Sequence, residues 1–376
     1  MNIREEILSN VSKIVIKIGT RVLTNEDGLL DKNQIMELSK QVIDLRLRGF
    51  SVVIVSSGSI GAGISALDLQ KRPTILPELQ AAAAIGQGKL IEVYNECFKN
   101  HGYHAAQLLL TRQDFEDRQR YLNTCNTLHS LLNFKAIPII NENDTISVEE
   151  ITFGDNDILS ALVTNLLRAD LLILLSSVDG LCTTPPAPGK SCRVLSVVDS
   201  ISDDIRKLAF KQKTKEGIGG MESKLEAANI ATGSGEAVIL ANGRQSEILS
   251  KIMNYDNVGT LFVPNKKKIA SRKRWIGFTV RPKGRLYIDG GALSALQKKG
   301  KSLLPSGVVE IAGKFIKGDV VSIVDMDGNE EIARGLVNYS DGEVRKVKGL
   351  RTSLIKKTLG YKPYDEIMHR DNMVLL

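Results

Sequence analysis

The strongest constraint on the fold is an alternation, between residues 13 and 265, of short apolar runs with longer segments of helical periodicity. The apolar runs show no polar alternation; among them are KIVIKIG, SVVIVSSG, KAIPIIN, ADLLILLSS and GEAVILANG. Strands that helices cover on both faces have no reason to alternate polar with apolar residues. The pattern therefore predicts an α/β fold with an open, mainly parallel sheet between helices. Because ligands of such sheets bind beyond the carboxyl ends of the strands, the residues that close each strand are the first candidates for a site.

The character of the sequence changes after the basic segment VPNKKKIASRKRWIGF, residues 263 to 278. Beyond it, short apolar runs are separated by glycine turns, and DMDGNE between two such runs is typical of a β-hairpin. The predicted organisation is an α/β domain at residues 1–265, a basic linker at 266–281, and a small, mostly β domain with a C-terminal tail at 282–376.

Composition excludes some classes of protein and leaves others open. The chain has 376 residues, is 43% hydrophobic and contains no run of 18 apolar residues, so we expect a cytoplasmic protein that does not enter the membrane. Its net charge of +7 is uneven, since residues 266–376 carry 23 Lys and Arg against 12 Asp and Glu. A basic segment of this kind is typical of nucleic-acid-binding proteins and also of lysine-rich solvated surfaces. Both interpretations remain open at this point.

Cysteine and histidine positions argue against a protein-bound metal. The four cysteines are far apart in the sequence and form no C-x-x-C pair, so we expect reduced thiols rather than a disulfide framework or a zinc site: Cys97, Cys125, Cys182 and Cys192. His101 and His104 form H-x-x-H, but no third ligand accompanies them. No metal-ligating residue is predicted.

Two strand ends carry candidate anion-binding groups. Lys17 closes the run KIVIKIG, and a lysine in an apolar strand is costly unless its ammonium group meets an anion. The alternative is an edge-strand lysine that points to water. SSGSIGAG follows the second strand with Ser57 and Gly58, and consecutive backbone N–H groups before a helix can bind phosphate or carboxylate. A close helix-to-sheet contact would explain the same glycines.

Two acidic clusters lie later in the chain, one after the fourth strand and one before a helix. PIINENDT ends the fourth strand and offers Asp144 among its polar residues, either to bind an amine or to cap the next segment. GDND places Asp155, Asn156 and Asp157 at the start of an apolar helix, where acidic residues favour the helix dipole. Because one such residue is enough for a cap, three predict a site that holds lysines or a metal near phosphate.

GIGGMESKLEAA combines a glycine-rich loop with Lys224 on the first turns of a helix. A loop that closes over phosphates and a lysine that reaches the leaving oxygen are what phosphoryl transfer requires. A surface lysine on an amphipathic helix is the alternative.

Together these segments resemble the glutamate 5-kinases of the amino acid kinase fold, in the long form with a C-terminal PUA domain. The resemblance covers nearly the whole chain in order and is carried by VIKIGTRVL, VSSGSIGAG, QAAAAIGQ, LLLTRQDFEDRQRYLN, INENDT, GDNDILSALV, GIGGMESKLEAA and RKRWI. INEND and GDND with GGM-x-x-K separate this family from relatives that act on aspartate, acetylglutamate, carbamate or UMP. The implied fold is an α/β/α sandwich followed by a small, mostly β PUA domain.

The resemblance also implies an activity and a set of site residues. The activity is ATP-dependent phosphorylation of the γ-carboxylate of L-glutamate to L-glutamyl 5-phosphate, the first step of proline biosynthesis, with Mg²⁺ as cofactor. The implied catalytic residues are Lys17, Asp157 and Lys224, with the aspartate orienting both ammonium groups. The implied glutamate-binding residues are Ser57, Gly58, Asp144 and Asn156. The implied ATP-binding residues are Lys17, Ser176, Ser177, Ile218, Gly219, Gly220, Met221, Glu222, Ser223 and Lys224.

The sequence departs from the family at Ser176 and Ser177, where many relatives have Thr-Asp, so the nucleotide contacts are the least defined part of the implied site. The family is further associated with proline feedback inhibition, with dimers or tetramers, and with a reductase that receives the acyl phosphate. Two alternatives stay open. One is an RNA-binding protein built on the PUA-like module, and the other is an amino acid kinase with another carboxylate acceptor such as aspartate.

Overall fold

The computed structural model describes residues 2–25, 27–146, 156–183, 193–210, 220–265, 271–328 and 330–376. The chain divides into two compact units, residues 1–267 and 268–376, and each has its own hydrophobic core.

The first unit is built on a sheet in which eight strands are described, in the order β3-β4-β2-β1-β5-β7-β8-β6. Its strands are β1 Lys13–Ile18, β2 Ser51–Ser56, β3 His104–Leu110, β4 Ala136–Glu142, β5 Leu171–Ser176, β6 Val197–Val198, β7 Ala237–Asn242 and β8 Thr260–Phe262. All described pairs are parallel except β7 with β8. The predicted open, mainly parallel sheet is therefore confirmed.

Helices cover both faces of this sheet. They are α1 Ile3–Leu8, α2 Thr20–Leu23, α3 Lys32–Leu47, α4 Ser59–Ala66, α5 Leu76–Lys99, α6 Arg112–Glu116, α7 Arg118–Asn133, α8 Asn156–Leu167, α9 Asp203–Phe210, α10 Met221–Ser234 and α11 Ile248–Met253. α3 packs with α5 and α11 in one layer, and α8 packs with α7 and α10 in another. None of the described helices is both long and apolar enough to cross a membrane.

Strand β1 lies in the middle of the sheet and directs its side chains alternately to the two layers. Ile14, Ile16 and Ile18 belong to the core that also contains α3 and α5 residues. Lys17 therefore points to the opposite face, where α8 packs against β1. Its backbone is paired with Val55 of β2 and Leu174 of β5, so Lys17 is not on an edge strand.

Helices α4 and α5 approach each other so closely that only glycine fits at their contact. A Cβ atom on Gly86 would lie 1.8 Å from the carbonyl oxygen of Ser59, and one on Gly63 would lie 1.8 Å from the carbonyl oxygen of Ala82. The contact brings one face of α5 against the segment that follows β2. The glycines of SSGSIGAG and QAAAAIGQ thus serve close helix packing as well as the strand end.

The second unit contains a mixed five-stranded sheet in the order β10-β9-β11-β12-β13. Its strands are β9 Gly284–Ile288, β10 Val308–Gly313, β11 Val320–Asp325, β12 Glu331–Leu336 and β13 Met373–Leu375. Its helices are α12 Ser271–Arg274, α13 Gly290–Lys299, α14 Asp341–Val347 and α15 Ile355–Leu359, with a π-helix at Trp275–Thr279 and 3₁₀ turns at Pro305–Gly307, Thr352–Leu354 and Arg370–Asn372. β11 and β12 pair antiparallel across DMDGNE, which confirms the predicted hairpin.

The cysteine prediction is partly wrong. Cys97 and Cys125 are free thiols, as expected. Cys182, however, is disulfide-bonded. Sequence spacing missed this bond because it reports separation along the chain, whereas a disulfide requires only that two sulfur atoms meet in the fold.

Two glycines on one turn of α5 provide a test of the α4–α5 contact. We expect Gly86→Ala to lower the free energy of unfolding by about 2 kcal/mol or more, because the added methyl group cannot be accommodated without moving α4. At Gly88, no heavy atom of the described residues beyond the local helix backbone lies within 4 Å of the position that an added methyl group would take, so Gly88→Ala should instead stabilise the helix by roughly 0.5–1 kcal/mol. Urea unfolding of the full chain, followed by circular dichroism, measures both changes. Equal effects of the two substitutions would contradict the packing described.

Candidate active site

The candidate site lies at the carboxyl ends of the central strands of the first unit. Lys17 is at the end of β1, Ser57 and Gly58 follow β2, Asp144 follows β4, and Ser176 ends β5. In the sheet order these strands are neighbours, β4-β2-β1-β5. Their carboxyl ends form one edge because the strands are parallel.

One buried carboxylate holds two buried ammonium groups at this edge. Asp157 Oδ1 lies 2.5 Å from Lys17 Nζ, and Asp157 Oδ2 lies 3.0 Å from Lys224 Nζ. The exposed side-chain fractions are 1% for Asp157, 7% for Lys17 and 10% for Lys224. Ser223 Oγ donates a further, longer bond of 3.4 Å to Asp157 Oδ2. The three residues predicted to be catalytic are therefore in direct contact, and they come from β1, α8 and α10.

The three charged side chains of this cluster together carry a net positive charge. Burial raises the pKa of Asp157, but the charges of Lys17 and Lys224 and their hydrogen bonds outweigh burial and lower that pKa below its usual range. Asp157 is thus ionised at neutral pH and offsets the charge of one of the two ammonium groups. A cluster of this charge suits an anionic ligand, because buried charges require partners of opposite sign.

A second cluster, built on amide and hydroxyl groups, lies beside the first. Asn156 Nδ2 donates to Ser57 Oγ at 3.0 Å, to Asn141 Oδ1 at 3.0 Å and to the Ser56 carbonyl oxygen at 3.3 Å. Its own Oδ1 is buried and has no hydrogen-bond partner among the described residues. Asn156 therefore ties the start of α8 to the ends of β2 and β4.

Asp144 lies against the start of α4. Ser59 Oγ donates a 2.6 Å hydrogen bond to Asp144 Oδ2. Burial raises the pKa of Asp144, and the bond from Ser59 lowers it by less, so the net shift is upward. The structure thus brings the strand ends of β2 and β4 together through Ser59 and Asp144.

Gly58 occupies the N-cap of α4 with φ of 98°. This left-handed conformation favours glycine, because a side chain would be strained there. The turn directs the chain from β2 into α4 and places Ser57 and Ser59 on the same edge of the sheet.

The predicted ATP-binding residues are only partly described. Ser176 is half-buried at the end of β5, and Ser177 and Gly220 are exposed. Met221 is buried, Glu222 is exposed and Ser223 is half-buried on the first turn of α10, where Lys224 also lies. Ile218 and Gly219 lie outside the described residues, as does Asp155 of GDND.

Sequence reasoning missed two polar residues that complete these clusters, Ser59 and Gln87, and it named Asn141 of PIINENDT without its partners. Ser59 and Asn141 stand inside motifs that were singled out, but nothing in the motifs shows which side chains meet. Gln87 lies in the alanine-rich helix α5, where the residue is 6% exposed and its amide is hydrogen-bonded to Asn141. Its signal was weak, since a single glutamine in a long helix is most often on the surface.

A separate cavity of about 650 Å³ lies within the second unit. It is lined by residues of the β-sheet, including Lys283, Arg285, Ser322, Glu331 and Arg334. Arg334 makes two hydrogen bonds to Glu331, of 2.7 and 2.9 Å, and Lys283 is paired with Asp319 at 2.8 Å. Most of its cations are therefore already paired within the domain, and none of the predicted catalytic residues lines it.

Comparisons with known proteins agree with this architecture. The amino acid kinase family matches residues 12–242, and the PUA domain matches residues 284–359. The chain is 50% identical to the glutamate 5-kinase of Thermoanaerobacter sp. (strain X514) over 364 residues, which are 97% of this chain and 98% of that protein.

Other relatives give the same result over similar lengths. The glutamate 5-kinase of Caldanaerobacter subterraneus subsp. tengcongensis is 50% identical over 97% of this chain and 98% of its own length. That of Geobacter sulfurreducens is 47% identical over 99% of this chain and 100% of its own length. The similarity thus spans both units. The chain belongs to the glutamate 5-kinase family, with an amino acid kinase domain followed by a PUA domain.

Proposed function

We propose that this protein transfers the γ-phosphoryl group of ATP to the γ-carboxylate of L-glutamate, which yields L-glutamyl 5-phosphate for proline biosynthesis. The observation that carries the proposal is the contact of Asp157 with two buried lysines at the carboxyl ends of the strands. The near full-length similarity to glutamate 5-kinases supports the same reaction.

The reaction requires charge neutralisation rather than a general base. A γ-carboxyl group with a pKa of about 4.3 is already ionised at neutral pH, so no proton needs to be removed. One carboxylate oxygen forms a bond to the γ-phosphorus while the bond from that phosphorus to the bridging oxygen breaks, and ADP leaves with the electron pair. The barrier is the approach of one anion to another, so the enzyme must hold the reactants in line and offset the charge.

Lys17 and Lys224 fit this task. Both ammonium groups are fixed at opposite oxygens of one carboxylate, so their separation is set before substrates bind. We assign Lys17 to the phosphate oxygens on the acceptor side and Lys224 to the nucleotide side, with Asp157 orienting both. Fixed charges of this kind stabilise developing charge without reorganisation during the reaction.

The second cluster fits an amino acid acceptor. A carboxylate at Asp144 and a buried carbonyl oxygen at Asn156 that lacks a donor among the described residues both suit an α-ammonium group. Ser57 and Gly58 supply a hydroxyl and a backbone N–H beside them, which suit the carboxylate groups of glutamate. Proline shares an α-carboxylate and an amino nitrogen with glutamate, so we expect it to compete for this cluster.

We assign the nucleotide to the side of the lysine cluster where Lys224 lies. Ser176, Ser177 and the segment from Ile218 to Lys224 would line it, and the N-terminus of α10 offers backbone N–H groups to phosphate. We expect Mg²⁺ to be held mainly by the nucleotide. Both oxygens of Asp157 already contact lysines, and the described residues contain no cluster of three His, Cys, Asp or Glu side chains. Mg²⁺ would enter with ATP and shield the β- and γ-phosphates.

Beyond the reaction, three further expectations follow from the family. The acyl phosphate is labile, so a reductase should consume it. We expect the protein in the cytoplasm, where ATP is supplied. A homo-oligomer is expected as well. RNA binding by the PUA domain is not favoured, since the sites described in the first unit do not require it.

The first test is the identity of the acceptor. We expect hydroxamate formation with ATP, Mg²⁺ and L-glutamate when hydroxylamine traps the acyl phosphate, and little with L-aspartate, whose side chain is one methylene shorter. ADP release measured in parallel should match the hydroxamate formed. Turnover of aspartate equal to that of glutamate would contradict the proposed substrate.

The second test removes one ammonium group. We expect Lys224→Ala to lower kcat by on the order of 10²-fold or more, because it deletes a charge contact to the transferring group. The matched control is Lys207→Ala, since Lys207 is an exposed lysine paired only with Asp204 in the described structure. An unchanged kcat in Lys224→Ala would remove this lysine from the catalytic machinery.

The third test uses the raised pKa of Asp144. If ionised Asp144 binds the ammonium group of glutamate, kcat/KM for glutamate must fall as the pH falls through the pKa of Asp144. Ser59→Ala removes a bond that lowers this pKa, so the pKa rises further and the acid limb of the profile should move to higher pH.

Ser65→Ala is the control for this profile, because Ser65 is exposed on the same helix. Its acid limb should coincide with that of the unmodified protein. An acid limb that stays in place, or moves to lower pH, in Ser59→Ala would refute the assignment of Asp144.

A further inference from the structure

Helix α5 contributes a buried amide that the proposed reaction does not use. Gln87 is 6% exposed, and its Oε1 accepts a 2.8 Å hydrogen bond from Asn141 Nδ2. Its Nε2 is buried without a hydrogen-bond partner among the described residues. A buried glutamine with only one of its two polar ends satisfied is costly, so its presence at this position requires an explanation.

Asn141 joins Gln87 to the second cluster, which is the one proposed to bind the acceptor glutamate. While Nδ2 of Asn141 donates to Gln87, its Oδ1 accepts from the backbone N–H of Glu142 at 2.9 Å and from Asn156 Nδ2 at 3.0 Å. An asparagine amide can rotate by half a turn and exchange its donor with its acceptor. An acceptor at Gln87 opposes that rotation, because the exchanged amide would bring two oxygens together.

The orientation is transmitted to the residues proposed to bind glutamate. Because Asn141 Oδ1 faces Asn156, the Nδ2 of Asn156 points toward Asn141, Ser57 and the carbonyl oxygen of Ser56. The Oδ1 of Asn156 is then left as an acceptor. Gln87 thus acts two hydrogen bonds away from Asn156.

The geometry of α5 explains how Gln87 reaches this place. Gly86 allows the helix to approach the Ser59 carbonyl oxygen, and Tyr94, seven residues after Gln87 on the same face, places its hydroxyl 3.1 Å from Ser56 Oγ. Through these two hydrogen bonds, two turns of α5 support the ends of β2 and β4. Such support is expected where the geometry of a binding site must be held within fractions of an ångström.

We propose that Gln87 is a positioning residue that sets the affinity for the amino acid acceptor through Asn141 and Asn156. The inference rests on the proposed function of this cluster as the glutamate site. Gln87 itself does not contact the substrate. Binding of the amino acid, rather than binding of the nucleotide, therefore depends on α5.

The test is a separation of kinetic parameters in Gln87→Met, which keeps the length of the side chain and removes the acceptor oxygen. We expect KM for glutamate to rise by about tenfold, as loss of a buried hydrogen bond that orients a ligand group should produce. KM for ATP and kcat should stay within about twofold of the unmodified values, since the lysine cluster is untouched. Gln87→Asn shortens the side chain, which withdraws the oxygen while keeping an amide, and it should shift KM for glutamate in the same direction. It is the second variant in case Gln87→Met folds poorly.

The matched control is Gln41→Met. Gln41 is also a buried helical glutamine, 9% exposed, but its Oε1 accepts from the backbone N–H of Leu249 in a part of the unit without proposed site residues. It should change the melting temperature without changing KM for glutamate. A glutamate-induced rise in melting temperature gives a readout independent of turnover, and it should be smaller in Gln87→Met than in Gln41→Met.

A double-mutant cycle with Asn141→Ala decides whether Gln87 acts through Asn141. Once Asn141 is removed, Gln87→Met should change KM for glutamate by less than about twofold. Additive effects in the cycle, an unchanged KM in both Gln87 variants, or equal rises in KM for glutamate and ATP would each overturn the inference. Absence of glutamate-dependent turnover in the unmodified protein would instead refute the proposed function, so the two failures are distinguishable.

Discussion

The site depends on one interaction, the contact of Asp157 with Lys17 and Lys224. Each of these charges would be expensive to bury alone, and one carboxylate contacts both ammonium groups. In the proposed reaction, the net positive charge of the three side chains attracts phosphate to the carboxyl edge of the sheet. Because the three residues come from a strand and two helices, the cluster also fixes α8 and α10 against β1.

The proposed acceptor side is organised differently, with amide and hydroxyl groups around the single carboxylate of Asp144. Asn156 links the first turn of α8 to the ends of β2 and β4, and Ser59 links α4 to Asp144. Amide and hydroxyl networks have directional preferences, so they can distinguish an ammonium group from a carboxylate, which a cluster of charges does less selectively. In the proposed reaction, the lysine cluster therefore compensates charge, and the amide and hydroxyl network orients the amino acid.

The parallel sheet was predictable because fully covered strands lack polar residues, which leaves a lysine at the end of such a strand conspicuous. Lys17 and Asp144 became candidates in this way, and Asp157 through the acidic cluster at the start of a helix. Resemblance was needed to assign them to catalysis or to glutamate binding. Gln87 was not found, since its position depends on the close approach of α5 to α4 at Gly86. The disulfide at Cys182 also escaped prediction, because the spacing of cysteines in a sequence does not show which sulfur atoms meet in the fold.

Local sequence determined which segments become strands and helices, where the hairpin of the second unit turns, and which polar residues close the strands. These features follow from periodicity and turn chemistry, which act over a few neighbouring residues. Only the tertiary structure decided that Asp157 meets both lysines and that Asn141 faces Gln87 and Asn156. Such contacts depend on the order of strands in the sheet and on the distance between packed helices, and both are set by the burial of the whole core.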